Sequence, residues 1–160
     1  MMAEVEIVDF SDEWTADFAA LNYDWIEKYF TVEKHDIEIL DYPKQWVIDP
    51  GGQIFMAIVS GLAAGTVALI PAGEGVLELT KMAVAPEFQG MGIGSKLIAR
   101  CVEYAKEEGT RTIFLESHTS LQPALSLYRK YGFVEVPGDS NSLYSRADIR
   151  MELAITGSSM

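Results

Sequence analysis

Residues 82–96 read Met-Ala-Val-Ala-Pro-Glu-Phe-Gln-Gly-Met-Gly-Ile-Gly-Ser-Lys, and no other segment restricts the fold as tightly. An apolar, β-branched run ends at Val84. A short loop with Pro86 follows, and Gly90, Gly92 and Gly94 then alternate into the start of an amphipathic helix. Glycines let the main chain approach a ligand closely because no Cβ intervenes. A helix start leaves amide N–H groups without intrahelical partners and carries the positive end of the macrodipole. Such a turn is a site for phosphate oxygens.

A length of 160 residues with 49% apolar side chains suits one globular domain. A single domain is expected over residues 1–153, with a loose tail over 154–160. The one cysteine, Cys101, excludes an intramolecular disulfide and any multi-cysteine metal site, and it fits a reducing compartment. The first residues have no basic n-region and no apolar h-region, so no signal peptide is expected and a cytoplasmic location follows as an expectation. Residues 51–73 carry no charge, but Ser60-Gly61, Gly65 and Pro71 interrupt them. The strand-like runs 54–59 and 66–70 predict a buried β-hairpin, not a span in lipid. No lysine or arginine flanks the run closely, so no membrane partner is expected.

The net charge of −12 is unevenly placed. Residues 1–80 hold 15 acidic and 3 basic side chains, while residues 81–160 hold 9 of each. Nucleic acid is therefore not an expected partner, since phosphate binding needs clustered basic residues. A cationic substrate would be drawn to the acidic half. The simpler reading of most of these carboxylates, taken singly, is a solvated helix face.

Along the chain, residues 5–10 alternate as a first strand. Ser11 is a candidate N-cap for a helix starting at Asp12-Glu13. Trp14, Phe18, Leu21 and Trp25 form one helical stripe that reads as core. A short helix is expected over 33–40, a turn over 49–52, the hairpin, another turn over 72–75 and a long strand over 76–84. The glycine loop then opens a helix over 92–108 that Gly109 stops. A strand over 111–116, a helix over 123–131 with Pro123 in its first turn, and strands over 133–136 and 144–153 complete the chain. Antiparallel hairpins followed by one β-α-β crossover indicate a mixed sheet with helices on both faces.

Two nucleotide-binding patterns compete for the glycines. The dinucleotide fingerprint Gly-x-Gly-x-x-Gly is not met, because Ser95 stands in the third position and residues 85–89 separate strand from glycine. Glu116 lies about where its ribose-binding acid would stand. A P-loop also fails, for want of Gly-x-x-x-x-Gly-Lys.

The pattern that fits is Gln-x-x-Gly-x-Gly at Gln89, Gly92 and Gly94, followed by Pro-Ala-Leu-Ser-Leu-Tyr-Arg-Lys-Tyr-Gly-Phe from Pro123 to Phe133. In this order, about 40 residues apart with a strand between, the two motifs resemble the GNAT superfamily of acetyl-CoA-dependent N-acyltransferases. The resemblance runs from about residue 51 to 153. It implies an α/β fold with a mixed, mostly antiparallel seven-stranded sheet. It also implies acetyl-CoA as cosubstrate, bound by main-chain amides of Gln89, Gly90, Met91, Gly92, Ile93, Gly94 and Ser95. Main-chain groups of Met82, Ala83 and Val84 would pair with the pantetheine arm, as an added strand pairs with a sheet edge. The amide near Ala83 or Val84 would polarise the thioester carbonyl. Tyr128 matches the tyrosine that protonates the departing thiolate; the alternative is a core tyrosine beside Ala124 and Leu125. Many members carry an asparagine where this chain has Leu121, with Gln122 beside it, so a side-chain bond to the cosubstrate there is not expected.

Glu78 stands eleven residues before Gln89, where some members place a general base. The chemistry asks for one. An alkyl amine with a pKa of about 10.4 is mostly protonated at neutral pH, and freeing it costs on the order of 4 kcal/mol. A carboxylate in a partly dry cleft can take that proton. The alternative for Glu78 is a half-exposed strand residue paired with Lys81 or another base. His118, just after a strand end, is a further acceptor-side candidate. His35 reads as a surface residue and Cys101 as packing. Two histidines and one cysteine far apart suggest no metal site.

The resulting expectation is direct acetyl transfer to a primary amine of a cationic small-molecule or peptide acceptor, with a homodimer left open. The alternatives are a non-catalytic acyl-CoA-binding or sensing module and, more distantly, a dinucleotide oxidoreductase.

Overall fold

The computed structural model describes residues 4–138 and 142–155. Its strands are β1 (Val5–Asp9), β2 (Gln53–Val59), β3 (Leu62–Pro71), β4 (Val76–Val84), β5 (Thr112–Ser117), β6 (Val134–Val136) and β7 (Ile149–Ala154). Its α-helices are α1 (Thr15–Tyr29), α2 (Lys34–Asp41), α3 (Ile93–Glu107) and α4 (Gln122–Lys130). The strands form one sheet in the order β1-β2-β3-β4-β5-β7-β6. Every neighbouring pair is antiparallel except β4 with β5. This is the mixed, mostly antiparallel seven-stranded α/β fold expected above.

Two cores lie on opposite faces of the sheet. On one face, Ile54, Met56 and Ile58 of β2 meet Phe18, Ile26, Ile39, Leu40 and Val47 from α1, α2 and the turn after them. On the other, Phe55, Ala57 and Val59 meet Leu97, Ile98, Cys101 and Ala105 of α3. A strand covered on both faces is apolar throughout, which explains the uncharged run of residues 51–73. That run is the β2–β3 hairpin, turned at Ser60 (φ 51°) and Gly61 (φ 79°). Among the described residues no helix is long and apolar enough to cross a membrane.

Gly65 of β3 places α3. A Cβ there would stand 2.8 Å from Ile93 Cγ2 and 3.2 Å from the Ala83 carbonyl oxygen. Only a glycine lets the first turn of α3 press onto the sheet beside the end of β4.

Several details differ from the sequence expectations. Ser11 makes no side-chain cap; a 3₁₀ turn over Asp12–Trp14 leads into α1 instead. Glu33 caps α2, and its N–H donates to Asp36 Oδ2 at 2.8 Å. A π-helical turn over Lys44–Ile48, closed by Asp49 N–H to the Lys44 carbonyl at 2.8 Å, has no periodic signature in the sequence. The last strand begins at Ile149 rather than 144, because Tyr144 is held by Lys81 and the His35 ring and Arg146 by Asp36 of α2, outside the β5–β7 ladder. The chain is still tied down at Ala154 in β7 and at Ile155, whose N–H donates to the Arg111 carbonyl at 2.8 Å. The remainder of the expected tail, 156–160, lies outside the described residues. His35 is half-buried against the Trp46 and Tyr144 rings rather than lying on the surface.

Candidate active site

Strands β4 and β5 pair only through Val76↔Thr112, Leu77↔Ile113 and Glu78↔Phe114. Beyond Glu78 they diverge, although β4 continues to Val84 and β5 to Ser117. On its other side β4 stays paired with β3 up to Val84, across an irregularity where Thr66↔Ala83 is followed by Ala68↔Thr80. Lys81 and Met82 thus oppose one residue of β3, and Lys81 takes a left-handed φ of 55°. Such a bulge bends and twists its strand. The divergence opens a cleft of about 580 Å³ between the two strands, lined also by α1, the start of α3 and α4. Alternate main-chain groups of β4 beyond Glu78 face this cleft without a ladder partner, because successive residues of a strand point their N–H and C=O groups to opposite sides. Met82, Ala83 and Val84 all line it.

At one end stands the start of α3. The first amide of the region to bond within the helix is Lys96 N–H, to the Gly92 carbonyl at 3.1 Å. The N–H groups of Gly90, Met91, Gly92, Ile93, Gly94 and Ser95 donate to no acceptor among the described residues. The Gln89 amide is engaged, donating to the Pro86 carbonyl at 3.3 Å, so the free run starts one residue later than expected. Gly90 (φ 88°) and Gly92 (φ 73°) turn the chain through the left-handed region, which costs other L-residues roughly 1–2 kcal/mol each. Nothing lies within 4 Å of where their Cβ atoms would be. Six free donors at a helix N-terminus, beside open space, fit a diphosphate. Tyr131 braces this turn from the end of α4, just past Lys130, its hydroxyl 2.8 Å from Ser95 Oγ and 3.0 Å from the Ser95 carbonyl.

Glu78 and Tyr128 both line the cleft. Burial pushes the Glu78 carboxyl up to about 7, with the nearby charge of Glu116 adding to the rise and Lys81 and Arg150 opposing it. Glu116 also lines the cleft and accepts from Ser142 Oγ at 3.0 Å. Glu78 makes no ion pair among the described residues, so the expected alternative of a strand salt bridge with Lys81 is not the arrangement seen. Lys81 pairs instead with Asp36 of α2, Nζ to Oδ1 at 2.8 Å. Tyr128 is 8% exposed, its hydroxyl bonds to nothing among the described residues, and burial raises it to about 12. Leu121 lines the cleft just ahead of α4, with no side-chain cap.

The far end of the cleft is walled by Trp25 of α1, by Phe30 just past its end, and by Tyr144 and Arg146 from the segment before β7. The Trp14-to-Trp25 stripe is therefore divided: Phe18 is core, whereas Trp25 faces the cleft. Of the acidic side chains in the first half, only Glu78 reaches the cleft; Asp36 is fully buried beneath it. His118 lines the cleft but is turned to its own loop. Its Nδ1 takes the Ser120 N–H at 3.0 Å, and its Nε2 lies 3.5 Å from Asp148. Cys101 is wholly buried in the α3 core, and burial drives its thiol pKa upward. Sequence reasoning missed Asp36, Lys81, Tyr144 and Arg146, which meet only through the fold. The one local sign was a lysine inside an otherwise uncharged strand end.

Comparison with known proteins agrees with this geometry. Residues 19–133 match the model of the Acetyltransferase (GNAT) family. An N-acetyltransferase of Schizosaccharomyces pombe is 26% identical over 121 residues, covering 73% of this chain and 74% of that protein. The crystal structure of a GNAT-family acetyltransferase from Staphylococcus aureus aligns with a TM-score of 0.86 at 19% identity, over 96% of this chain and 100% of the other. Spermidine N-acetyltransferase from Vibrio cholerae, in complex with CoA and spermine, aligns with a TM-score of 0.72 at 21% identity, over 94% and 95%. These structural likenesses establish the fold; the family match, which spans most of the chain from within α1 to just past α4, establishes more. The chain belongs to the acetyltransferase (GNAT) family and is an acetyl-CoA-dependent N-acetyltransferase.

Proposed function

We propose that the enzyme transfers acetyl from acetyl-CoA directly to the primary amine of a cationic acceptor, with both bound at once. The observation that carries this reading is Glu78. It stands at the last paired rung of β4 and β5, opens into the cleft and has a pKa near 7. A base poised near the working pH suits removal of a proton from an ammonium group. The free amides from Gly90 to Ser95 bind the diphosphate, with Gln89 shaping the turn. Main-chain groups of Met82, Ala83 and Val84 hold the pantetheine arm, and an amide near Ala83 or Val84 polarises the thioester carbonyl.

In the reaction Glu78 takes the proton of the acceptor ammonium, directly or through a water. The freed nitrogen forms a bond to the carbonyl carbon, the carbon–sulfur bond breaks with its electron pair on sulfur, and the second proton of the now cationic nitrogen passes through water to the leaving thiolate, so that coenzyme A departs as the thiol. Tyr128 offers its O–H to the departing sulfur. A phenol at about 12 holds its proton more tightly than a thiol of about 8.5. Tyr128 therefore works chiefly as a hydrogen-bond donor whose bond strengthens as charge reaches sulfur. Glu78 and Glu116 supply negative potential for a cationic acceptor, while the exposed acids of α1 act only as long-range steering groups.

The deciding experiment is a thiol-release assay with acetyl-CoA across a broad amine library, run at two salt concentrations. Release dependent on a cationic amine and weakened by salt supports the reading. Tight CoA binding with no release for any amine would assign the protein to acyl-CoA sensing instead.

A further inference from the structure

The two segments that wall the acceptor end of the cleft are locked together. Arg146, from the turn before β7, donates Nη2–H to Asp36 Oδ1 at 2.7 Å and Nη1–H to Asp36 Oδ2 at 2.9 Å. Its Nη1 also lies 3.2 Å from Glu33 Oε2 and 3.4 Å from the Thr31 carbonyl oxygen. The neighbouring Ser145 N–H donates to Glu33 Oε1 at 3.0 Å. From beneath, Lys81 Nζ reaches Asp36 Oδ1 at 2.8 Å and the Tyr144 hydroxyl at 2.7 Å. A bidentate arginine–carboxylate pair is both strong and specific in geometry, and Asp36 is fully buried.

This arrangement has two consequences. The cluster neutralises itself, because Glu33 and Asp36 balance Lys81 and Arg146. Among the described residues, the carboxylates lining the cleft and left to attract a cation are Glu78 and Glu116. The rim is also saturated. A polypeptide acceptor lying across the cleft would need main-chain partners and a gap between the two segments. The Thr31 carbonyl and the Ser145 N–H, the groups best placed to receive it, are already joined to the opposite wall. What the α1 side presents to the cleft is mainly apolar and aromatic, Trp25, Ile26 and Phe30, with Asn22 the polar exception.

We infer that this clasp of Glu33, Asp36, Lys81 and Arg146 closes the acceptor end to polypeptides, so that the acceptor is a small primary monoamine with an apolar or aromatic body. The inference rests on the acetyl-transfer reading above and narrows it. A second or third ammonium, as in a polyamine or an aminoglycoside, finds no unpaired carboxylate at this end among the described residues.

The test uses the intact chain, acetyl-CoA and four acceptor classes: alkyl and arylalkyl monoamines, spermidine, an aminoglycoside, and peptides with free N-termini and lysines. Hydrogen exchange at the Ser145 amide is followed in parallel. The best monoamine is expected to exceed the peptides in kcat/KM by on the order of a hundredfold, and the Ser145 amide is expected to be protected. Arg146→Ala is expected to raise the peptide-to-monoamine ratio by on the order of tenfold. If that variant does not fold, Glu33→Gln, which keeps the side-chain shape, is expected to move the ratio in the same direction. Peptides, polyamines or aminoglycosides turned over as fast as the best monoamine overturn the inference, as does a Ser145 amide exchanging at the unprotected rate. If CoA binds but no amine reacts, the transfer reading fails, and the small-monoamine inference falls with it. Monoamine turnover with equal peptide turnover instead leaves the transfer reading standing and removes only the inference.

Discussion

Glu78 lies opposite Phe114 on the last rung that joins β4 to β5. One residue earlier, at Leu77, the side chain turns to the α3 core on the other face of the sheet; further along β4 the carboxyl would leave the neighbourhood of Glu116. The divergence of the strands thus begins at the group proposed to accept the proton.

For catalysis, the sign of the pH dependence follows from Glu78 acting in its ionised form. With its pKa near 7, kcat/KM is expected to climb as pH rises through about 7. Glu78→Gln should remove that limb and lower kcat by roughly a hundredfold or more. A pH series of thiol release checks both.

The same raised pKa costs stability. The folded protein holds the Glu78 proton more tightly than the unfolded chain, whose value is near the ordinary 4.5. The contribution is therefore neutral below about 4.5, and stability is lost as pH rises to about 7, by on the order of 3 kcal/mol. Glu78→Gln should be more stable than the parent at pH 8 and indistinguishable from it near pH 4, as measured by urea denaturation.

Tyr128→Phe should leave the fold intact, since the hydroxyl bonds to no other described residue. It should lower kcat by roughly ten- to a hundredfold with little change in CoA affinity. Because Tyr128 titrates near 12, the parent enzyme should show no alkaline loss from this group below pH 10. Steady-state kinetics with calorimetric CoA titration separates these effects.

Gly92→Ala places a methyl group in open space but keeps a residue that disfavours the left-handed φ of 73°. The backbone cost, about 1–2 kcal/mol, should fall on the free-amide turn and raise the Kd for CoA by roughly tenfold, with a smaller change in Kd for an acceptor amine. Calorimetry with CoA and with the acceptor reads the two separately.

Asp36 behaves in the opposite sense to Glu78. Burial would raise its pKa, but Arg146 and Lys81 outweigh burial and hold it at about 2. Its ionic contribution is fully present above the unfolded value near 3.8 and is lost as pH falls through about 2, about 2 kcal/mol in all. Asp36→Asn leaves the buried Lys81 ammonium without its carboxylate and Arg146 with Glu33 alone, and should cost about 3–5 kcal/mol at neutral pH. It should also flatten the acid limb of the stability curve, measured by denaturant titration between pH 2 and 6.

Much of this was legible along the chain. The β4 strand runs from Val76 to Val84 as expected, because a β-branched run between a glycine turn and Pro86 leaves little freedom. The α3 start was readable from Gly90 and Gly92, since a left-handed φ strongly favours glycine. The segment before β7 was misread as strand because Tyr144-Ser145-Arg146 has adequate strand composition; its ion pairs with α2 override that preference. The Lys44–Ile48 turn was missed because a single π-turn leaves no periodicity.

By itself the sequence determined most of the elements, their order, the glycine turn ahead of α3 and the family motifs, all of which depend on residues close together in the chain. Only the tertiary structure decided which charges meet. Lys81 finds Asp36 across 45 residues, and Arg146 finds it across 110. Glu78 is left without an ion pair among the described residues, half-buried, with its pKa raised to about 7. Such pairings are set by how strands diverge and helices pack, because burial and proximity are properties of three-dimensional placement that no local pattern carries.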